Sequence, residues 1–316
     1  MSRVASKALS FVFIPMYTAI YAPDTVGKFY QVEPFWQYLL TICLFGFETT
    51  IITHCTTQSE DNRKKLLFNF LTILLFNCFV FLLAGILFNQ NFTSFILHQD
   101  KGSNVIFYAF LVCIFESLIT LPLCIARLKN KPGLYSAIAL TSLFLNFFLQ
   151  VYFVYFQKKD FDFIFIAKFA APMIVFLFCI PLIINNVKIN FDKTNLRQII
   201  NFSFFWMLYS IITMLLNTAD RYILAYYVPM EQIGIYGIGY SVGSLTNSLV
   251  LVPFSLAFSG LFYKKVNEEN AERYFTKMST YLFFAMTFVS LVGALIMPEA
   301  VKLFVRNPAL WNAINI

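Results

Sequence analysis

Five stretches of the chain, Leu66–Phe88, Leu134–Phe156, Ile199–Ala219, Ile235–Phe262 and Met278–Met297, contain no Asp, Glu, Lys or Arg. Each is at least as long as the roughly 20 residues a helix needs to cross the hydrocarbon core of a bilayer. Four further stretches carry one charge each: Val4–Tyr21 (Lys7), Phe35–Thr57 (Glu48), Val105–Ala126 (Glu116) and Phe163–Ile184 (Lys168). The runs are continuous rather than alternating, which selects helices over barrel strands. The expected fold is therefore an all-α polytopic membrane protein with about nine transmembrane helices. Only 12% of the residues are charged and 59% are hydrophobic, against about 25% charged in soluble domains. A water-soluble fold is excluded.

Lys and Arg are retained on the cytoplasmic side during insertion, so their distribution sets the orientation. Fifteen of the 23 fall at the N-terminus and in alternate connections, among them Arg63–Lys65, Arg127–Lys131 and Lys264–Lys277, while seven lie in the others and Lys168 lies within a span. The N-terminus is therefore expected in the cytoplasm. An N-terminal signal peptide is the competing reading of Arg3, Lys7 and the apolar residues after them. The net charge of +7 follows from this bias and does not call for nucleic acid. All six cysteines lie in apolar runs without metal-ligand spacing, as small core- or lipid-facing residues do.

A weak internal repeat is visible. Ala22-Pro-Asp-Thr-Val-Gly27-Lys-Phe29 follows the first span and Pro229-Met-Glu-Gln-Ile-Gly234-Ile-Tyr236 follows the seventh, with the glycines 207 residues apart. Proline and glycine also punctuate ordinary turns. If the repeat is real, residues 1–198 form a six-helix N-terminal lobe and residues 199–316 begin a second lobe with helices seven to nine. A second lobe of equal length would extend past Ile316, so the chain is expected to be an incomplete version of a larger bundle.

Charged and polar groups within spans are costly at the bilayer centre and usually face the bundle interior. Arg3, Lys7, Ser10, Tyr17 and Tyr21 form one stripe on the first helix. Ser203, Trp206, Ser210, Thr213, Asn217 and Asp220 form another on the seventh. Each stripe is either a helix interface or a cavity wall. Glu48 and Glu116 are the candidate internal acids and Lys168 the candidate internal base, unless these groups snorkel. Asp220 and Arg221 close the seventh helix as a local pair or a substrate contact, and Asn247 adds an amide on the eighth. Enzyme signatures are hard to find: His54 and His98 are 44 residues apart with no zinc-site context, and no phosphate-binding loop is present. No cofactor or metal is expected.

Several segments resemble the polysaccharide flippases of the multidrug/oligosaccharidyl-lipid/polysaccharide exporter superfamily, the Wzx-type O-antigen translocases. They are "ALSFVFIPMYTAIYAPDTVGKFY" at 8–30, "FGFETT" at 45–50, "ARLKNKPGLY" at 126–135 and, most specifically, "NTADRYILAYYVPMEQIGIYGIGY" at 217–240. Many relatives carry an arginine where this chain has Thr53. The resemblance implies a two-lobe helical bundle of 12 to 14 spans, like that of the superfamily's multidrug exporters. It also implies alternating access and a polyprenyl-diphosphate-linked oligosaccharide as cargo, for lipopolysaccharide or related surface polysaccharide. Partners implied are that lipid-linked oligosaccharide, membrane lipids and other polysaccharide-assembly proteins. The competing readings are a cation-coupled drug antiporter using Glu48, Glu116 or Asp220, a membrane-embedded glycosyltransferase or polymerase, and a scaffold.

Overall fold

A backbone in hydrocarbon must satisfy its own hydrogen bonds, and every regular element among the described residues is accordingly helical. The computed structural model describes residues 13–56, 58–97, 104–190, 196–244, 247–251, 254–255, 258 and 270–315. Residues 13–20 form α1, followed by α2 (Pro23–Leu44), α3 (Phe47–Cys55), α4 (Glu60–Leu97), α5 (Val105–Leu128) and α6 (Pro132–Gln150). After α6 continues as a π-helical stretch, Val151–Phe156, come α7 (Asp162–Ile184), α8 (Leu196–Leu224) and α9 (Met230–Gly243). A short π-turn (Asn247–Leu251), α10 (Ala271–Phe304) and a 3-10 helix (Pro308–Asn315) complete the order. Seven segments among the described residues are long and apolar enough to cross a membrane, with α2 and α3 counting as one. They coincide with seven of the nine expected runs. The first and eighth runs fall partly outside the described residues.

The chain is thus a polytopic helical membrane protein. Its contacts form two compact units, one joining Arg3–Gly27 to Met230–Ile316 and the other comprising Lys28–Pro229. This grouping is one of contacts, and it places α8 with Lys28–Pro229, whereas the expected boundary after residue 198 rests on the repeat.

Within Lys28–Pro229, α5 is the central helix. Its buried residues fall all along its length, and it packs against both α4 and α7, with α6 packed on α7. Ile119, Ile138, Val175 and Cys179 form a sealed cluster between α5, α6 and α7, flanked by Leu123, Leu134, Leu145 and Leu182. The run expected as one span from Phe35 to Thr57 is broken. Phe45 and Gly46 take positive φ, 49° and 71°, and a side chain on Gly46 would collide with the Ser203 carbonyl of α8. The break therefore lets α8 approach the backbone, and the left-handed conformation there suits glycine.

Within the other unit, Gly27 and Gly234 bring the first turns of α2 and α9 into backbone contact. Thr18 of α1 accepts a hydrogen bond at Oγ1 from the Arg306 N–H (3.1 Å). Trp311 of the 3-10 helix donates from Nε1 to the Val305 carbonyl (2.9 Å), folding the 3-10 helix back on the end of α10.

Candidate functional site

In the unit Lys28–Pro229, four ionisable side chains from four helices converge. On α2, Phe29, Glu33 and Trp36 recur at three- and four-residue spacing and so share one face. Lys168 of α7 points its ammonium at that face, 4.9 Å from the Trp36 ring centre, 5.1 Å from that of Phe29 and 5.9 Å from that of Phe165. Rings attract a desolvated cation through their negative faces. The carboxylates of Glu33 and of Glu116 on α5 act on the same ammonium. Arg221 of α8 reaches Glu33 at 4.0 Å, with only 7% of its side chain exposed, and lies 5.8 Å over the Tyr30 ring. Next to it, the Tyr38 and Thr218 hydroxyls are hydrogen-bonded at 2.6 Å, and the Tyr38 and Tyr222 rings are 6.2 Å apart.

The set contains two carboxylates and two cations, so it is charge-balanced when all four are ionised. Balance lowers the cost of placing charge at this depth but does not remove it, because each ion must still leave water. Ionisable groups retained at such cost mark transport pathways more often than scaffolding. The Trp36 Nε1–H and the Tyr222 hydroxyl are buried without a hydrogen-bond partner among the described residues. These two groups give the cluster hydrogen-bonding capacity that a water molecule or another hydroxylated molecule can take up.

Glu48 belongs elsewhere. Its carboxylate accepts from Arg127 Nη1 at 2.8 Å, and Arg127 Nη2 donates to the Tyr135 hydroxyl at 2.8 Å. The guanidinium also lies 4.7 Å over the Tyr135 ring. Both charged side chains are about one third exposed, at 33% and 36%. The triad ties α3, α5 and α6 together.

The stripe on α8 is divided by its packing. Ser203 is fully buried and donates to Thr50 Oγ1 at 2.8 Å. Trp206, Thr213 and Asn217 are exposed, and Ser210 and Asp220 are half-buried. The side chains of Ser210, Thr213 and Asn217 donate to the carbonyls of Trp206, Tyr209 and Thr213 in their own helix. Asp220 accepts from the Arg221 backbone N–H (2.8 Å), whereas the Arg221 guanidinium turns to Glu33.

Of the residues singled out from sequence, the structure brings Glu116, Lys168 and Arg221 into one cluster and puts Glu48 in another. Lys168 is held against the rings of α2 and α7. In the unit containing α1 and α9, Tyr17 is buried, Tyr21 is half-buried and Asn247 is exposed. Arg3, Lys7 and Ser10 lie outside the described residues.

Glu33, Trp36, Arg127 and Tyr135 were not expected from sequence. The apolar run containing Glu48 begins at Phe35, so Glu33 falls outside it. Beginning the helix at Pro23, a residue suited to a first helical turn, would have placed Glu33 within a span.

No curated protein and no solved structure matches the chain. The model of one family, described as polysaccharide biosynthesis protein, matches residues 1–264. That is well over half of the 316 residues, and the chain, a multi-pass helical membrane protein, belongs to the polysaccharide biosynthesis protein family.

Proposed function

We propose that the protein is a flippase that moves a polyprenyl-diphosphate-linked oligosaccharide from the inner to the outer leaflet of the bacterial inner membrane, by alternating access. The family match carries this reading, because the family points to a flippase or transporter role in making polysaccharide. The chemistry of the spans supports it. A diphosphate requires cations, which the N-terminal stripe supplies as Arg3 and Lys7. Sugars require aromatic faces and hydrogen-bonding groups, which Tyr17, Tyr21, Trp206, Ser210, Thr213, Asn217 and Asn247 offer. The cargo is an O-antigen or related repeat unit, and the N-terminus is cytoplasmic.

The test is rescue of surface polysaccharide in a bacterium deleted for its own flippase and supplied with the intact gene. Lys7→Ala should abolish polysaccharide while leaving membrane insertion intact, and Lys7→Arg should retain much of it. Normal export by Lys7→Ala would reduce Lys7 to an orientation signal for insertion. The carboxylates Glu33 and Glu116 beside Lys168 favour one second reading, a cation-coupled antiporter of small molecules. Proteoliposomes that accumulate a cationic drug but leave the lipid-linked oligosaccharide unmoved would replace the flippase with that antiporter.

A further inference from the structure

The face of the unit Lys28–Pro229 where α4 begins and α5 and α7 end carries a small, solvent-open notch. Its lining is amphipathic. Arg63, Lys64 and Lys129 stand around it with one carboxylate, Glu60, while Leu67 and Ile125 supply apolar walls that are almost fully buried. Lys64 is already paired, 3.5 Å from Glu60. The neighbouring Asp61 takes up Lys65 and Lys188, at 3.8 and 2.9 Å. Arg63 and Lys129 are then left with no ion-pair partner among the described residues, and the notch has an excess of two positive charges.

Farther along α4, Leu75 and Phe79 are exposed apolar side chains, at 49% and 58%. We infer that this notch binds the phosphate of an anionic phospholipid, its headgroup held by Arg63 and Lys129. Charge complementarity chooses the occupant: basic pockets between membrane helices attract acidic headgroups, and each surface cation contributes about 1 kcal/mol at an anionic leaflet. The site is separate from the cluster around Lys168 and stands whether or not the chain moves polysaccharide.

The experiment is native mass spectrometry of the full chain in detergent, titrated separately with phosphatidylglycerol, phosphatidylcholine and a polyprenyl diphosphate. Phosphatidylglycerol should bind well ahead of phosphatidylcholine. The double variant Arg63→Gln/Lys129→Gln should weaken it by about thirtyfold, from about 1 kcal/mol for each lost cation at 1.4 kcal/mol per tenfold. The charge-preserving Arg63→Lys/Lys129→Arg should bind nearly as the parent does, which separates lost charge from lost folding. Equal binding of the two phospholipids would overturn the inference, as would unchanged phosphatidylglycerol binding by the Gln pair. A Gln pair that loses only the polyprenyl diphosphate would assign the notch to the cargo instead.

Discussion

Gly27 and Gly234 meet reciprocally. A side chain added to Gly27 would strike the carbonyl of Met230 and approach the Gly234 nitrogen, and one added to Gly234 would approach the carbonyl of Pro23 and the Gly27 nitrogen. Each glycine therefore contacts the other and the residue four positions before it. Pro23 and Met230 are also the first residues of α2 and α9, so both glycines are fifth in their helices. Contacts that map onto themselves when partners are exchanged are those of a local two-fold. The two sequence segments that supply them are the same ones that resemble each other.

Substitution at this crossing should be costly because the obstacle is backbone, which cannot rotate away as a side chain can. Gly27→Ala is expected to destabilise the protein by about 1–3 kcal/mol, the usual range for overpacking. Gly133→Ala, which meets nothing within 4 Å, should be neutral or mildly stabilising. Thermal unfolding of the two variants in one detergent compares them directly, and equal melting temperatures would show that the helices do not cross here.

Gly46 makes a second demand, since it combines a positive φ of 71° with a close approach to the Ser203 carbonyl. Gly46→Ala should cost more than Gly133→Ala on both grounds. It should also loosen the Ser203–Thr50 hydrogen bond, so that Thr50→Val costs less in the Gly46→Ala background than in the parent. A double-mutant cycle measures that coupling, and strict additivity would separate the two features.

How much of this was legible beforehand differs by feature. The helices were, because span length and missing charge are local properties of the chain. The glycine pair was visible as a repeat, although its reciprocal contact was not. The break at Phe45–Gly46 carried only a single glycine as a signal, and a glycine within a span is compatible with an unbroken helix. The ion pairs were not legible: Glu48 and Arg127 are 79 residues apart, and which acid meets which base is set by the packing of α3 on α5. Asp220 and Arg221 are neighbours in sequence, but Asp220 accepts from the Arg221 backbone while the guanidinium reaches Glu33. Lys168 looked free to snorkel from its position near a helix end, yet Trp36 and Phe29 on α2 supply a nearer set of partners.

The Arg127 triad should contribute modestly, because its charges are about one third exposed and screened by water. Arg127→Ala is expected to cost about 1 kcal/mol, with Tyr135→Phe costing less because the ring contact with Arg127 survives. Raising the salt concentration should shrink the effect of Arg127→Ala. A loss that is large and independent of salt would mean the pair is sealed from water.

The sidedness inferred from the cations can be checked with an impermeant thiol reagent on intact cells, using a background in which the native cysteines are replaced. Gln58 lies on the side of Arg63–Lys65, and Lys158 lies in the connection between α6 and α7. Cysteine introduced at Lys158 should react, and cysteine introduced at Gln58 should react only after the membrane is opened. Equal labelling of both in intact cells would overturn the orientation.

The cluster around Lys168 permits a test that separates holding the fold from moving cargo. Lys168→Met removes the ammonium and leaves the Glu116 carboxylate without its cation, while Glu116→Gln leaves the ammonium with one acid fewer. Glu116 and Lys168 are half-buried, so removing one of them costs less than the about 3–5 kcal/mol of a fully buried pair, whereas replacing both partners with neutral groups of similar size is often nearly neutral. Each single variant should therefore unfold at a lower temperature, and the double variant Lys168→Met/Glu116→Gln should recover much of the loss. If the charges serve only to join α5 to α7 and α2, the recovered double variant should also restore surface polysaccharide. A transport role predicts the opposite outcome, a stable protein that exports nothing, because the groups that must change partners during the cycle are gone. A double variant no more stable than either single would show that Lys168 and Glu116 are not coupled, and the cluster would lose its claim to be one site.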